Sequence, residues 1–270
     1  MPPLAAGLAI VSAVLHVGWN AAMRGASATA RFVWVEMLAG GVIGIVLVLT
    51  TGDVHLHGAL PWALLTVGIH VGYFLALMQA YRSGPLSVVY PGSRGLGVLL
   101  TVPAAAWLLA EAVRPLTLAG IVLVGAGLFS LVGGRRRGPL RQYGWTALVG
   151  VTVMGYSLVD SHAMHLMPPP LYITIQFWGT ALCLTPLALR EAAPLKVTTP
   201  ALAGAASLVS YLLILYAYRI APVGSVLALR QLAPALAPLA AALWIRERPS
   251  RAQVLGAIVV AAGSALIMFG

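Results

Sequence analysis

The chain reads as apolar runs of about 20 residues, cut repeatedly by short polar or Pro/Gly-bearing breaks. Ten runs stand out: 3–23, 30–50, 60–81, 85–109, 115–133, 142–162, 169–189, 200–219, 222–245 and 251–269. At 1.5 Å per residue, about 20 residues of helix cross the roughly 30 Å of a bilayer's hydrocarbon. None of the breaks is long enough to house a soluble domain. The pattern therefore predicts an all-α integral membrane protein of ten transmembrane helices, with its function in the bundle or on its rims.

Composition agrees. Of 270 residues, 60% are hydrophobic and 8% charged, with a mean hydropathy of +0.95. Soluble domains carry about 25% charged residues. A soluble core of this size cannot hide so much apolar surface, which excludes a soluble enzyme, a disordered chain and a disulfide scaffold. The single cysteine, Cys183, forms no intrachain disulfide. The opening Met1-Pro2-Pro3 lacks a positive segment, so the first run reads as a retained helix rather than a signal peptide.

The formal charge of +10 sorts by side. Odd-numbered loops carry twelve of the sixteen basic residues: Arg24, Arg31, Arg82, Arg135, Arg136, Arg137, Arg141, Arg190, Lys196, Arg246, Arg248 and Arg251. Even-numbered loops carry Arg114 and Arg219. Basic residues collect on the cytoplasmic face, which places the odd loops inside a cell (inner) membrane and both termini outside. The charge then serves topology and contact with anionic lipid headgroups; no nucleic-acid partner is expected.

The halves resemble each other. Ala80-Tyr81-Arg82 recurs as Ala217-Tyr218-Arg219, and Pro85 as Pro222. After a one-residue slip, Arg94 aligns with Arg230, Glu111 with Glu247, and Gly120 and Gly127 with Gly256 and Gly263. Units of five helices, 1–134 and 135–270, enter the membrane from opposite sides because five is odd. Such inverted-topology repeats mark secondary transporters with a midplane site.

With this architecture the sequence resembles the drug/metabolite transporter superfamily, EamA type. Glu111 and Arg246-Glu247-Arg248, each before a glycine-bearing helix, carry the likeness. His16-x-x-Trp19-Asn20, Tyr73-Phe74, Ala80-Tyr81-Arg82-x-Gly84, Tyr90-Pro91-x-x-Arg94-Gly95, Tyr156-x-x-Val159-Asp160 and Ala221-Pro222-Val223 through Leu229-Arg230 resemble one branch. That branch is loosely associated with phosphonate-utilisation gene neighbourhoods. The resemblance implies a transporter of small molecules, leaning toward export. It also implies cytoplasmic termini, opposite to the basic-residue bias, which the reading follows here.

Arg94 and Arg230 are the basic residues inside spans. Arg94 lies roughly 14 Å into span four and Arg230 roughly 12 Å into span nine from the other side. A central arginine costs about 2.5–3.5 kcal/mol even on insertion scales, so it faces protein or a wet cavity. As a pair they read as clamps for a carboxylate, phosphate or phosphonate. The competing reading is structural pairing with Glu36 or Asp160. Span four surrounds its arginine with Pro91, Gly92, Gly95 and Gly97, and span nine has Pro234 and Pro238 beyond Arg230. Paired interruptions of this kind point to a transporter binding site; a kink tolerated by packing is the alternative. Tyr90, Ser93 and Gln231 flank the arginines and join the substrate-binding candidates.

His16, Trp19 and Asn20 share one face of span one, as either a cavity wall or a helix–helix contact. Tyr156, Ser157 and Asp160 share a face of span six. Asp160 sits two residues from the end of its run, an interfacial depth of roughly 3–5 Å. Glu36, Asp160 and mid-span His70 are the candidates for coupling to protons. Gln79 and Gln176 rank below them. His55-x-His57 and His162-x-x-His165 lack a third ligand, so neither metal nor cofactor is expected. Gly125, Gly127, Gly256 and Gly263 read as close-packing positions.

No nucleotide-binding or hydrolase motif occurs. The expected function is a secondary transporter, an exporter or exchanger, that moves a small polar anionic metabolite by alternating access. Its partners would be that substrate, membrane lipids, and protons or a counter-substrate, in a monomer or homodimer. A flippase for a phosphate-bearing lipid-linked carrier is the alternative.

Overall fold

The computed structural model describes residues 1–25, 29–56, 58–84, 86–132, 139–191, 197–232, 235 and 250–269, without the side chains of 17–25, 86–87 and 131–132. Among the described residues ten helices occur: α1 (Pro3–Gly25), α2 (Ala30–Thr51), α3 (Leu60–Ser83), α4 (Leu86–Leu108), α5 (Pro115–Val132), α6 (Leu140–Ala163), α7 (Pro169–Arg190), α8 (Thr198–Tyr218), α9 (Val223–Arg230) and α10 (Arg251–Phe269). Nine follow the apolar runs to within two residues at each end. Beyond 231, 232 and 235, the rest of the ninth run, with Pro234 and Pro238, lies outside the described residues, as do Arg135, Arg136, Arg137, Lys196, Arg246, Glu247 and Arg248.

Helix ends follow from local chemistry. Proline opens α1, α5 and α7, where a missing N–H costs nothing. The first N–H groups of α2 find partners in Glu191, which accepts from Ala30 at 3.0 Å and Arg31 at 2.9 Å. Thr29 accepts from Phe32 at 3.2 Å. Gly52 closes α2 at φ +65°, a left-handed position that suits glycine.

Helices α2, α3, α7, α8 and α10 are long and apolar enough to cross a membrane on their own composition. The apolar stretches of α1 and α5 are shorter, Pro3–His16 and Pro115–Ser130. Helices α4, α6 and α9 contribute Arg94, Asp160 and Arg230, all buried. Large apolar side chains such as Leu49, Leu182 and Leu202 point outward instead, as a lipid-facing perimeter requires.

The bundle packs α2 on α7 and α5 on α10. Helix α1 lies on α8 and α9, α6 on α3 and α4, and α2 and α3 touch α8 and α7 respectively. Helix α4 also meets α5 and α9. At the α5–α10 crossing, a Cβ on Gly120 would lie 2.5 Å from the Gly263 carbonyl oxygen. Only hydrogen at both positions lets these backbones approach so closely.

Helix α4 runs continuously from Leu86 to Leu108 through Pro91 and Pro103. Its glycines serve packing: a Cβ on Gly97 would lie 2.8 Å from Val153, and one on Gly95 3.3 Å from Leu128. The bundle presses α6 and α5 onto the glycine faces of α4, which holds the helix in shape despite the lost donor.

Candidate functional site

His16 sits between the two arginines. Arg94 Nη2 lies 3.0 Å from His16 Nε2, and Arg230 Nη2 lies 2.9 Å from His16 Nδ1. All three residues are buried. Helices α1, α4 and α9 therefore converge on one imidazole in the middle of the bundle.

Each guanidinium is braced apart from the imidazole. Arg94 donates from Nη2 to the Tyr73 hydroxyl at 2.9 Å and from Nη1 to the Tyr156 hydroxyl at 3.1 Å. Its Cζ stands 5.8 Å from the centre of the Tyr73 ring and 5.5 Å from that of Tyr90, within cation–π range. Arg230 donates to Ser210 Oγ at 3.2 Å and stands 5.6 Å from the Tyr211 ring centre. Ser210 in turn donates to the Ser12 carbonyl at 2.9 Å, one turn from His16. The Nε of each arginine is buried without a hydrogen-bond partner.

Structural pairing with Glu36 or Asp160 does not occur. Among the described residues the ion pair present is His55 with Asp53, remote in sequence from both arginines. The acids have other surroundings. The Asp160 carboxylate accepts from Thr66 Oγ1 and from the Tyr172 hydroxyl, both at 2.6 Å, and from the Tyr211 hydroxyl. Three hydroxyl donors give the oxygens of this buried carboxyl group the hydrogen bonds that burial demands. Asp160 is thus fully enclosed by protein, because α3 and the start of α7 cover the end of α6. Glu36 is fully buried on α2 beside Ser207, yet neither of its carboxyl oxygens closes a hydrogen bond.

His70 connects the two groups. Its Nδ1 lies 2.9 Å from the Thr66 carbonyl and 3.0 Å from Thr66 Oγ1. The hydroxyl proton of Thr66 goes to Asp160, so Nδ1 of His70 carries the proton and donates to Thr66. The ring stacks on Tyr156 with centroids 4.6 Å apart. Tyr156, like Tyr73, accepts from Arg94.

A cavity of about 40 Å³ borders this cluster, walled by His16, His70, Tyr73, Tyr156, Tyr211 and Arg230. At about 10–15 Å³ per water it holds about three waters. A larger cavity, about 350 Å³, opens at one end of the bundle beside Glu111, Arg114 and Ser225. There the Glu111 carboxylate accepts from the Val223 backbone N–H at 3.0 Å.

The structure thus brings His16, Arg94, Arg230, Tyr90 and Tyr156 together. Ser93 is buried but donates to the Tyr90 carbonyl at 3.1 Å, and Gln231 donates to the Leu227 carbonyl at 2.8 Å, so both serve their own helices. The side chains of Trp19 and Asn20 lie outside the described residues. So does His57; His162 lies against Trp62, with ring centroids 4.6 Å apart and planes tilted by 56°. The sequence reading missed Tyr73, Ser210 and Tyr211 as site residues. Tyr73 stands one turn from His70, and Ser207, Ser210 and Tyr211 form an i, i+3, i+4 stripe on α8 that could have flagged them.

Among the described residues the chain is a helical bundle whose long apolar helices make it a multi-pass membrane protein, with two buried arginines beside a small central cavity. Residues 141–269, just under half of the chain, match the model of the EamA-like transporter family, a family of the drug/metabolite transporter superfamily. No curated protein matches. A solved crystal structure, described only as that of a protein, has a TM-score of 0.77 at 20% identity, covering 98% of this chain and 96% of that one. The likeness is one of fold.

Proposed function

We propose that this transporter is a secondary carrier, an exporter or exchanger, for a small polar metabolite that binds as an anion near Arg94 and Arg230. The observation that carries the reading is the pair of buried guanidiniums within hydrogen-bond distance of one imidazole. Two cations so close and so deep need an anion nearby, since unpaired buried charge is costly. Guanidinium forks match carboxylate and phosphate oxygens.

Alternating access of two inverted five-helix repeats, 1–134 and 135–270, is the mechanism in this reading. The helix contacts support it: replacing each helix by the one five later turns α1–α8 into α6–α3, α4–α6 into α9–α1 and α2–α8 into α7–α3, all of which occur. The same exchange maps α2–α7 and α5–α10 onto themselves. Arg94 and Arg230 fall on exchanged helices, so each half offers one guanidinium to a shared centre. Asp160, with His70 and Tyr156 between it and Arg94, is the candidate for linking substrate to protons. Glu36, one residue behind the cavity wall at Ser207, is the other. The odd loops face the cytoplasm in this reading.

A thermal-shift titration tests the anion site. Phosphates, phosphonates, carboxylates, amino acids and cationic drugs would be titrated against the parent, Arg94→Ala and Arg230→Ala. A ligand at 100 times its dissociation constant stabilises by about 2.7 kcal/mol if it binds only the folded state. Anion-selective shifts lost in either variant are expected; shifts by cations, equal in parent and variants, would sink the reading. A phosphate-bearing lipid as the sole active ligand would point to a flippase.

A further inference from the structure

The His16 imidazole holds an awkward position. Each of its nitrogens faces a guanidinium N–H, Nε2 toward Arg94 at 3.0 Å and Nδ1 toward Arg230 at 2.9 Å. A neutral imidazole has one lone pair and one N–H, so it accepts from one arginine and opposes the other; protonated, it opposes both. His16 therefore satisfies its two neighbours incompletely in every protonation state open to it.

Two nitrogens across one carbon have nearly the spacing of two oxygens on one carbon or phosphorus. The edge of the ring thus occupies the outline of a carboxylate, phosphonate or phosphate group. Such a group accepts from both arginines at once and supplies the charge they lack.

We propose that His16 is an internal stand-in for the substrate, displaced when an oxyanion with at least two oxygens on one atom bridges Arg94 and Arg230. The inference rests on the anion-site reading and deepens it by naming the substrate group and what it must displace. Two further observations support it. The guanidiniums do not depend on His16 for their positions, since Tyr73, Tyr156 and Ser210 hold them by hydrogen bonds and Tyr90 and Tyr211 by their ring faces. The ring also borders the central cavity, so its exit path lies within the bundle. The buried, unpartnered Nε–H groups of both arginines are donors that a multi-oxygen group can use and an imidazole cannot.

Displacement predicts an inverted mutational effect. A ligand-contacting residue weakens binding when removed, whereas an internal competitor strengthens it. The experiment measures dissociation constants of inorganic phosphate, methylphosphonate and acetate by tryptophan fluorescence and thermal shift in detergent, with chloride at matched ionic strength as control. The variants are His16→Ala, His16→Asn, Arg94→Ala and Arg230→Ala. Dioctanoyl phosphatidic acid tests whether the group must be free or can sit on a lipid.

His16→Ala is expected to bind phosphate or methylphosphonate about tenfold tighter than the parent, the equivalent of one charge-assisted hydrogen bond no longer given up. If the alanine variant does not fold, His16→Asn, which offers one acceptor and reaches one arginine, is expected to tighten binding by a smaller factor. Unchanged or weaker binding in both histidine variants, while the arginine variants lose binding, overturns the stand-in and leaves the anion site. Undiminished binding in both arginine variants overturns the anion site itself, and the stand-in with it.

Discussion

Glu111 accepts a hydrogen bond from the Val223 backbone N–H at 3.0 Å, and so ties the loop after α4 to the first turn of α9. These are the helices that carry Arg94 and Arg230. The contact places a negative charge at a helix N-terminus, where it is favoured. Partial burial nonetheless holds the Glu111 carboxyl above its ordinary value of 4.5, against the lowering effect of the Val223 and Gly224 N–H groups.

A raised carboxyl binds its proton more tightly in the folded protein than in the unfolded one, so its ionisation works against stability. As pH falls through the folded value, still above 4.5, Glu111 gains its proton and the folded state gains relative to the unfolded. The parent's Tm, compared with that of Glu111→Gln across pH 4.5 to 7.5, is expected to improve toward acid. A parallel pair of curves would show that Glu111 does not titrate in this range. Glu111→Ala is expected to lose about 1 kcal/mol as the cap of α9 disappears, measured as a lower Tm at pH 7.

Tyr73 and Tyr156 both accept from Arg94. Tyr73→Phe and Tyr156→Phe keep the rings and remove one acceptor each. Each is expected to weaken anion binding by up to about tenfold, the usual scale for a hydrogen bond to a charged group. The double variant should weaken it further. Titration with phosphate decides, and unchanged affinity in the double variant would show that Arg94 is positioned by packing alone.

The Asp160 carboxylate depends on three hydroxyls. Tyr211→Phe or Tyr172→Phe removes a donor from a buried charge, at an expected cost of about 1.5–3 kcal/mol each. Because the donors share one carboxylate, the double variant should depart from additivity. Thermal unfolding in detergent measures both effects; simple additivity would argue against a shared network.

The α5–α10 crossing tolerates no side chain at Gly120. Gly120→Val is expected to lose at least 1–3 kcal/mol, roughly the scale of overpacking, because the obstructing atom belongs to the backbone of Gly263. Gly68→Ala, whose added Cβ meets nothing within 4 Å, should be neutral or slightly stabilising. Elution profiles and Tm values of the two variants would reveal equal tolerance if the crossing were looser than described.

Much of this architecture was legible in one dimension. Hydrocarbon thickness sets helix length, so apolar runs of about 20 residues marked nine of the ten helices almost to the residue. The cost of burying a cation likewise singled out Arg94 and Arg230. Helical periodicity placed Tyr156 and Asp160 on one face of α6, and Gly125, Gly127, Gly256 and Gly263 read as close-packing positions.

What the sequence could not state is which faces meet. Local pattern says a polar group is inside but not whose partner it becomes, since the partner comes from a helix tens or hundreds of residues away. Nothing along the chain says that α3 and α7 cover Asp160 with Thr66 and Tyr172. Pro91 interrupts the donor pattern of α4, and only the packing of its neighbours says how the helix runs through it. His16, Arg94 and Arg230 stand 78 and 214 positions apart along the chain; only the packing of α1, α4 and α9 places one imidazole between two guanidiniums.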